Sequence, residues 1–288
     1  MDMAIGILSW VVLFIIGTCA GSFAACTVDR LHTKRDWVKG RSECDNCHHQ
    51  LKPLDLIPIL SWVCLRGKCR YCKKPIGYLP LILEVATATL FVLSAIGLAP
   101  LLETTPLHLI IFMELGNTVV LLIWLVVLTL LVILAVYDAL YHILPNVIVY
   151  PAIIGAIIYV VFLNNITGVT LHANWWQEAT LALIPLSGLY GLLWLLSKGK
   201  LIGLGDVKLC VVLSLLVGSW QYALITLFIA NILCSVMALP RLARRKLNLA
   251  SQVPFGQCLI LATILIVLTM YLTVGVVNRV FSLMSVVL

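Results

Sequence analysis

Two carboxylates carry the chemistry that this sequence suggests. Asp206 stands in Gly203-Leu204-Gly205-Asp206 between very apolar stretches, and Asp138 follows another long apolar run, Val119 to Tyr137. The chain is 62% hydrophobic and holds only 12 acidic residues. A carboxylate at membrane depth costs roughly 2.5–3.5 kcal/mol on insertion scales. Two of them, beside glycines that allow close backbone approach, point to paired chemistry. Leu144-Pro145-Asn146 turns the chain just after Asp138, and Gly203 and Gly205 give similar freedom before Asp206. Carboxylates a few ångström apart share one proton. One then serves as general base for water and the other as general acid for a departing amide nitrogen. On the residues alone three readings stand: peptide hydrolysis, a transporter or channel for protons or cations, and a structural role in which Lys208 neutralises Asp206.

A second constellation is made of thiols. Cys44-x-x-Cys47 and Cys69-x-x-Cys72 lie in the one large polar segment, residues 29–78. Two such knuckles can place four thiolates in a tetrahedron around a structural zinc ion. Lys68, Arg70, Lys73 and Lys74 would help offset the negative cluster. So small a loop has little core to hold it folded without metal. His48 and His49 are spare ligands that two complete knuckles make unnecessary. The other six cysteines read as small apolar packing residues.

The elements that must position these groups are membrane helices. Mean hydropathy is +1.10, and 11% of residues are charged against roughly a quarter in soluble domains. About 20 apolar residues cross a bilayer as a helix. The apolar runs are continuous and do not alternate with period two, which fits helices better than a barrel. Eight spans are expected, near 4–28, 79–102, 116–137, 147–163, 179–197, 207–219, 221–239 and 255–277. The sixth is short and opens with Lys208. The first lacks the basic start and cleavage site of a signal peptide, so it reads as a retained span. The expected fold is an all-α polytopic membrane protein with a small zinc-binding insertion between helices 1 and 2. Its parts are a first transmembrane helix (1–28), the four-cysteine loop (29–78) and a catalytic helical bundle (79–288).

Charge sets the orientation. Of 19 Lys and Arg, eleven lie in residues 30–74. Lys198, Lys200 and Lys208 flank the Gly-Asp motif, and Arg241, Arg244, Arg245 and Lys246 sit between the last two spans. With eight spans all three basic segments fall on one side, which the positive-inside rule makes cytoplasmic. Asp138 and Asp206 then lie near cytoplasmic helix ends. The net charge of +7 follows from this topology and calls for no nucleic-acid partner.

The combination resembles the type IV prepilin peptidases, the bifunctional leader peptidase and N-methyltransferase family of pili and type II secretion. Gly21-Ser22-Phe23 and Arg30-Leu31 are similar to its first-span signature. Ser42, Cys44, Cys47, Leu51, Leu56 to Ser61, Arg66 to Cys72 and Pro75-Ile76 follow its zinc loop, and Pro80 and Glu84 its second span. Asp138 with Leu144-Pro145, Gly203-x-Gly205-Asp206-Val207-Lys208-Leu209 and Pro254-Phe255-Gly256 resemble its remaining motifs. Ala24-Ala25-Cys26, Asn146 and Gln257 depart from the pattern.

The resemblance implies an intramembrane aspartyl endopeptidase of the GxGD type in the bacterial inner membrane, with its site facing the cytoplasm. Its catalytic residues would be Asp138 and Asp206, supported by Gly203, Gly205 and Lys208. Its substrates would be prepilins and pseudopilins, cut after the glycine that ends a basic leader. The new N-terminal residue, usually phenylalanine, would then be methylated with S-adenosylmethionine. No glycine-rich nucleotide-binding turn is present. Glu84, beside the zinc loop, is the candidate for binding the amine or the methyl donor, with a solvated interfacial glutamate as the other reading.

Overall fold

The computed structural model describes residues 2–36, 40–44, 46–101, 115–165, 175–200, 202–243 and 254–287. Arg244, Arg245 and Lys246 of the third basic segment lie outside them. Among the described residues seven helices are long and apolar enough to cross a membrane: Ile7–His32, Leu79–Leu98, Gly116–Tyr141, Asn146–Asn165, Trp175–Ser197, Trp220–Leu239 and Gly256–Thr273. The protein is therefore a multi-pass, all-α membrane protein. The sixth expected segment is a helix too, Leu204–Val217, but its 14 residues rise only about 21 Å at 1.5 Å each. That is short of a hydrocarbon core of about 30 Å. Gly218, at φ +71°, ends it in the left-handed conformation that glycine adopts without a Cβ penalty.

By their contacts the residues fall into two compact units, Met1–Ser94 and Ala95–Leu288. The first begins with helix α1 (Asp2–His32) and includes the start of α3 (Leu79–Leu101). Between them lie a single 3₁₀ turn, Pro53–Leu56, and the short helix α2 (Leu60–Cys64). Glycines set how closely α1 and α3 pack. A Cβ on Gly17 would lie 2.5 Å from the Ala88 Cα, and one on Gly21 would lie 2.5 Å from the Leu83 carbonyl and 2.6 Å from the Glu84 Cα. Membrane helices lack a hydrophobic drive to associate, so small residues at such crossings supply the contact.

The second unit holds α4 (Leu115–Tyr141), α5 (Asn146–Asn165), α6 (Trp175–Ala182), α7 (Leu189–Ser197), α8 (Leu204–Val217), α9 (Trp220–Ala243) and α10 (Gly256–Val287). A π-helical turn, Ile184–Gly188, joins α6 to α7 within one span, as Pro185 inside an apolar helix requires some local relief. Helix α8 packs against α5, α7 and α10, so it lies inside the bundle. An aromatic cluster fills its middle. Trp124 meets Tyr159 at 5.3 Å and Tyr271 at 6.0 Å between ring centroids, and the two tyrosine hydroxyls hydrogen-bond to each other.

Candidate active site and metal centre

Helix α4 ends just after Asp138. His142, at φ +56°, closes it, and its N–H donates to the Asp138 carbonyl at 2.9 Å. Pro145 then opens α5, its carbonyl accepting the Ile148 and Val149 N–H groups. On the other side of the site, Lys198 (φ +51°) and Gly199 (φ +77°) terminate α7. Gly203 caps α8 from an extended conformation, its carbonyl accepting the Asp206 N–H at 3.1 Å. Asp206 thus falls in the first turn of α8, where the helix end favours negative charge. The two carboxylates come from a helix C-terminus and a helix N-terminus that pack together: a Cβ on Gly256 would meet both the Asp138 carboxyl and, at 3.4 Å, the side chain of Leu209, three residues after Asp206.

Asp138 is only 5% exposed, yet its charge is not left unanswered. The backbone N–H of Gln257 donates to its Oδ2 at 3.0 Å. This amide belongs to the first turn of α10, so Asp138 also sits at the positive end of that helix. The approach demands glycine at 256, where a Cβ would stand 2.9 Å from Oδ2 and 3.2 Å from the carboxyl carbon. Gly256→Ala is expected to displace the carboxylate and lower the rate of whatever reaction the pair performs by about a hundredfold. A turnover assay on purified variants checks this, with helix content measured in parallel.

Of the two uses expected of the glycines before Asp206, close approach and backbone freedom, the structure shows the first at Gly205. Neither Gly203 nor Gly205 has a positive φ. Gly205 is required by close approach, because a Cβ there would lie 3.1 Å from the Leu144 side chain. Lys208 does not turn to Asp206. Its Nζ donates to Asn146 Oδ1 and to the Tyr150 hydroxyl, each at 3.0 Å. Two contributors were not found from side-chain type: the Gln257 amide, which acts through backbone, and Tyr150. The signal for the first was Pro254-Phe255-Gly256, a helix start two residues after a proline.

In the other unit the four cysteine sulfurs all lie within 4.8 Å of one another. Zinc–sulfur bonds of about 2.3 Å place tetrahedral sulfurs about 3.8 Å apart, and Cys44 and Cys72 stand at 3.8 Å. The donor set therefore fits a structural metal. Each knuckle is built the same way. Isolated antiparallel bridges, Glu43 with Gln50 and Lys68 with Pro75, close the two turns. The Cys44 and Cys69 amides donate to the carbonyls five residues on, and residues 48 and 73 both take positive φ. His48 thus holds the place that Lys73 holds in its twin, outside the ligand set. The N–H of Cys72, opposed by burial and helped by that of Tyr71, draws the Cys69 thiol down to about 7, toward the thiolate a metal needs.

The expected counter-cation Arg70 is committed elsewhere, its Nε donating to Asp55 Oδ1 at 2.6 Å. Tyr71 stacks on His49, and Trp62 packs on Tyr78 and donates to the Gly77 carbonyl at 2.9 Å, so both aromatics hold the module together. Glu84 is 6% exposed rather than solvated. Its Oε2 accepts the Ile59 N–H at 2.7 Å. Ile59, at φ +61°, is a β-branched residue in a conformation it rarely adopts, held by this carboxylate. Glu84 also lines a cavity of about 510 Å³ whose wall includes Ser22, Cys26, Asp29 and Trp62. Two residues of the divergent segment, Ala25 and Cys26, line this cavity.

Comparison with known proteins gives two family matches. Residues 15–98 match the family described as "Bacterial Peptidase A24 N-terminal domain", and residues 125–239 match "Type IV leader peptidase family". A protein of Aeromonas hydrophila named prepilin leader peptidase/N-methyltransferase is 30% identical over 77% of this chain and 69% of its own length. Proteins of the same name from Klebsiella pneumoniae (31% identical; 76% of this chain, 89% of the relative) and Pseudomonas aeruginosa (26% identical; 86% of each) are similar as well. No solved structure matches.

Proposed function

Because the chain belongs to the type IV leader peptidase family, we propose that it is a prepilin leader peptidase and N-methyltransferase. The reading is carried by one observation: in a chain with so few acids, two carboxylates stand at helix ends that pack together, Gly256 meeting both the Asp138 carboxyl and Leu209, and Gly205 meeting Leu144. Asp138 and Asp206 share a proton, and water lies between them and the scissile carbonyl. As the water oxygen bonds to the carbonyl carbon, its proton passes to the ionised carboxylate. The protonated partner gives its proton to the amide nitrogen as the C–N bond breaks. The Gln257 amide and the start of α10 hold Asp138 in place. Gly205 allows the start of α8 its close approach to Leu144, and Gly203 leads into the helix from an extended conformation.

The substrates are type IV prepilins and type II pseudopilins, cut after the glycine that ends the leader. The chain sits in the bacterial cytoplasmic membrane, embedded in lipid, with the pair at the cytoplasmic face. Zinc is held by Cys44, Cys47, Cys69 and Cys72 and keeps the loop folded, without touching substrate. S-adenosylmethionine, when bound, supplies an electrophilic methyl group. The 510 Å³ cavity is of a size that suits a small cofactor, and buried Glu84 offers it or the substrate's new ammonium a negative partner. Glu84→Gln keeps an acceptor for the Ile59 N–H and removes the charge. It is expected to lower methyl incorporation into a pre-cleaved pilin peptide at least about tenfold, read with labelled methyl donor.

The function is tested by coexpressing this chain with a prepilin in cells that lack their own peptidase. Shortening of the prepilin by its leader supports the reading. Full-length prepilin in membranes that contain the folded chain would refute it.

A further inference from the structure

We propose that Lys208 is a positioning residue for cleavage: with Asn146 and Tyr150 it clamps the start of α8 onto the stretch of chain that follows Asp138. The inference rests on the reading of Asp138 and Asp206 as the cleaving pair.

Lys208 is the fifth residue of α8. A cation so near a helix N-terminus meets the positive end of the helix dipole, a local cost. It is offset from outside the helix. The ammonium donates to Asn146 Oδ1 and Tyr150 Oη, both at 3.0 Å, and lies 5.0 Å from the centre of the Tyr150 ring, within cation–π range. Both partners belong to the first turns of α5, and none of its hydrogen bonds goes to Asp206. A second contact lies on the other side of Asp206. Gly205 receives the Leu144 side chain so closely that a Cβ would lie 3.1 Å from it.

Asp206 is therefore bracketed, at the preceding residue and two residues on, by a single short stretch of chain, Leu144 to Tyr150. That stretch is the direct continuation of the turn after Asp138, whose own carbonyl is tied to the His142 N–H. The spacing between the two carboxylates is thus fixed through residues 142–150 rather than by contact between the aspartates, which repel when both are charged. Lys208 contributes the polar half of that link and Gly205 with Leu144 the apolar half.

The rival role for a half-buried cation near the site is contact with an acidic group on the substrate. The two separate kinetically. A clamp acts on geometry, so its loss lowers kcat with little change in KM, whereas a lost substrate contact raises KM. The test is steady-state cleavage of a synthetic membrane-spanning prepilin by purified wild type and by Lys208→Met, Lys208→Arg, Asn146→Ala, the Met/Ala double variant and Asp206→Asn. Methyl transfer to a pre-cleaved peptide is measured on each preparation. Lys208→Met should lower kcat about tenfold to a hundredfold with KM within about twofold, and Lys208→Arg should recover most of the loss. The double variant should be no slower than Lys208→Met alone, as expected of two residues in one contact. Methyl transfer should be unchanged.

Wild-type kcat in Lys208→Met, a rise confined to KM, multiplicative losses in the double variant, or an equal fall in methyl transfer would each overturn the clamp. Asp206→Asn tells the two failures apart. If it is inactive while Lys208→Met cleaves normally, only the clamp is wrong. If it cleaves like wild type, the pair itself is wrong and the clamp falls with it.

Discussion

Replacing Asp206 or Asp138 by asparagine is expected to abolish leader removal, by about 10⁴-fold or more, while the protein still accumulates in the membrane. The two side chains are nearly isosteric, so packing changes little and the effect isolates proton chemistry. A general acid or base contributes about 10²–10⁴-fold, and here one proton is shared, so loss of either carboxyl removes both roles at once. The variants should consequently not combine: Asp138→Asn with Asp206→Asn should be no slower than either alone. Asp138→Asn carries a further cost, since the Gln257 N–H and the start of α10 face a neutral amide instead of an anion. Single-turnover cleavage with excess enzyme measures these rates. Normal cleavage by either single variant would remove that residue from the pair.

Metal removal is expected to have the next largest effect. The module from Gly40 to Tyr78 has almost no core of its own. Cys69 is its one buried apolar residue among those described, and Leu54, Leu60, Val63 and Tyr78 are exposed. Regular structure within it amounts to a 3₁₀ turn and a five-residue helix. In zinc-finger peptides the metal supplies roughly 10–16 kcal/mol of folding free energy at neutral pH, far more than these short elements gain from packing. Chelation, or Cys69→Ser, should therefore unfold the module and open Lys52, Arg66, Lys68, Lys73 and Lys74 to trypsin. Methyl transfer should fall with it, because Trp62 and the strained Ile59 turn belong to this module and flank the cavity at Glu84. Mass analysis of tryptic fragments with and without chelator reads the first effect. An unchanged digestion pattern would mean that the loop folds without metal.

Much of this was legible in the sequence because the signals were rare types in an apolar background. Asp138, Asp206 and the two Cys-x-x-Cys pairs stand out by composition and spacing, and long apolar runs locate seven crossing helices directly. What stayed hidden depends on atoms that carry no side-chain signature or on partners far along the chain. The Gln257 amide reaches Asp138 across more than a hundred residues through backbone alone. Lys208 looked like a counter-ion because it stands two residues from Asp206. The helix turns it instead toward Asn146, some sixty residues away. Gly205 reads as a site of close approach, but the sequence does not show that Leu144 is what approaches it. The short α8 reads as the shortest span, and Gly203 and Gly218 bound it at 14 residues. Glu84 looked solvated at an interface because a sequence does not show that Ile59 folds back onto it.

The central claim, that this chain is a leader peptidase whose chemistry resides in Asp138 and Asp206, is met most directly by one measurement. Purified protein in lipid is incubated with a synthetic membrane-spanning prepilin, and the products are weighed by mass spectrometry, beside Asp206→Asn and with or without S-adenosylmethionine. Loss of the leader after its final glycine is expected in wild type only, with a further gain of one methylene on the new N-terminus when the methyl donor is present. A prepilin left intact by wild type across several lipid compositions, or cut equally by Asp206→Asn, would contradict it.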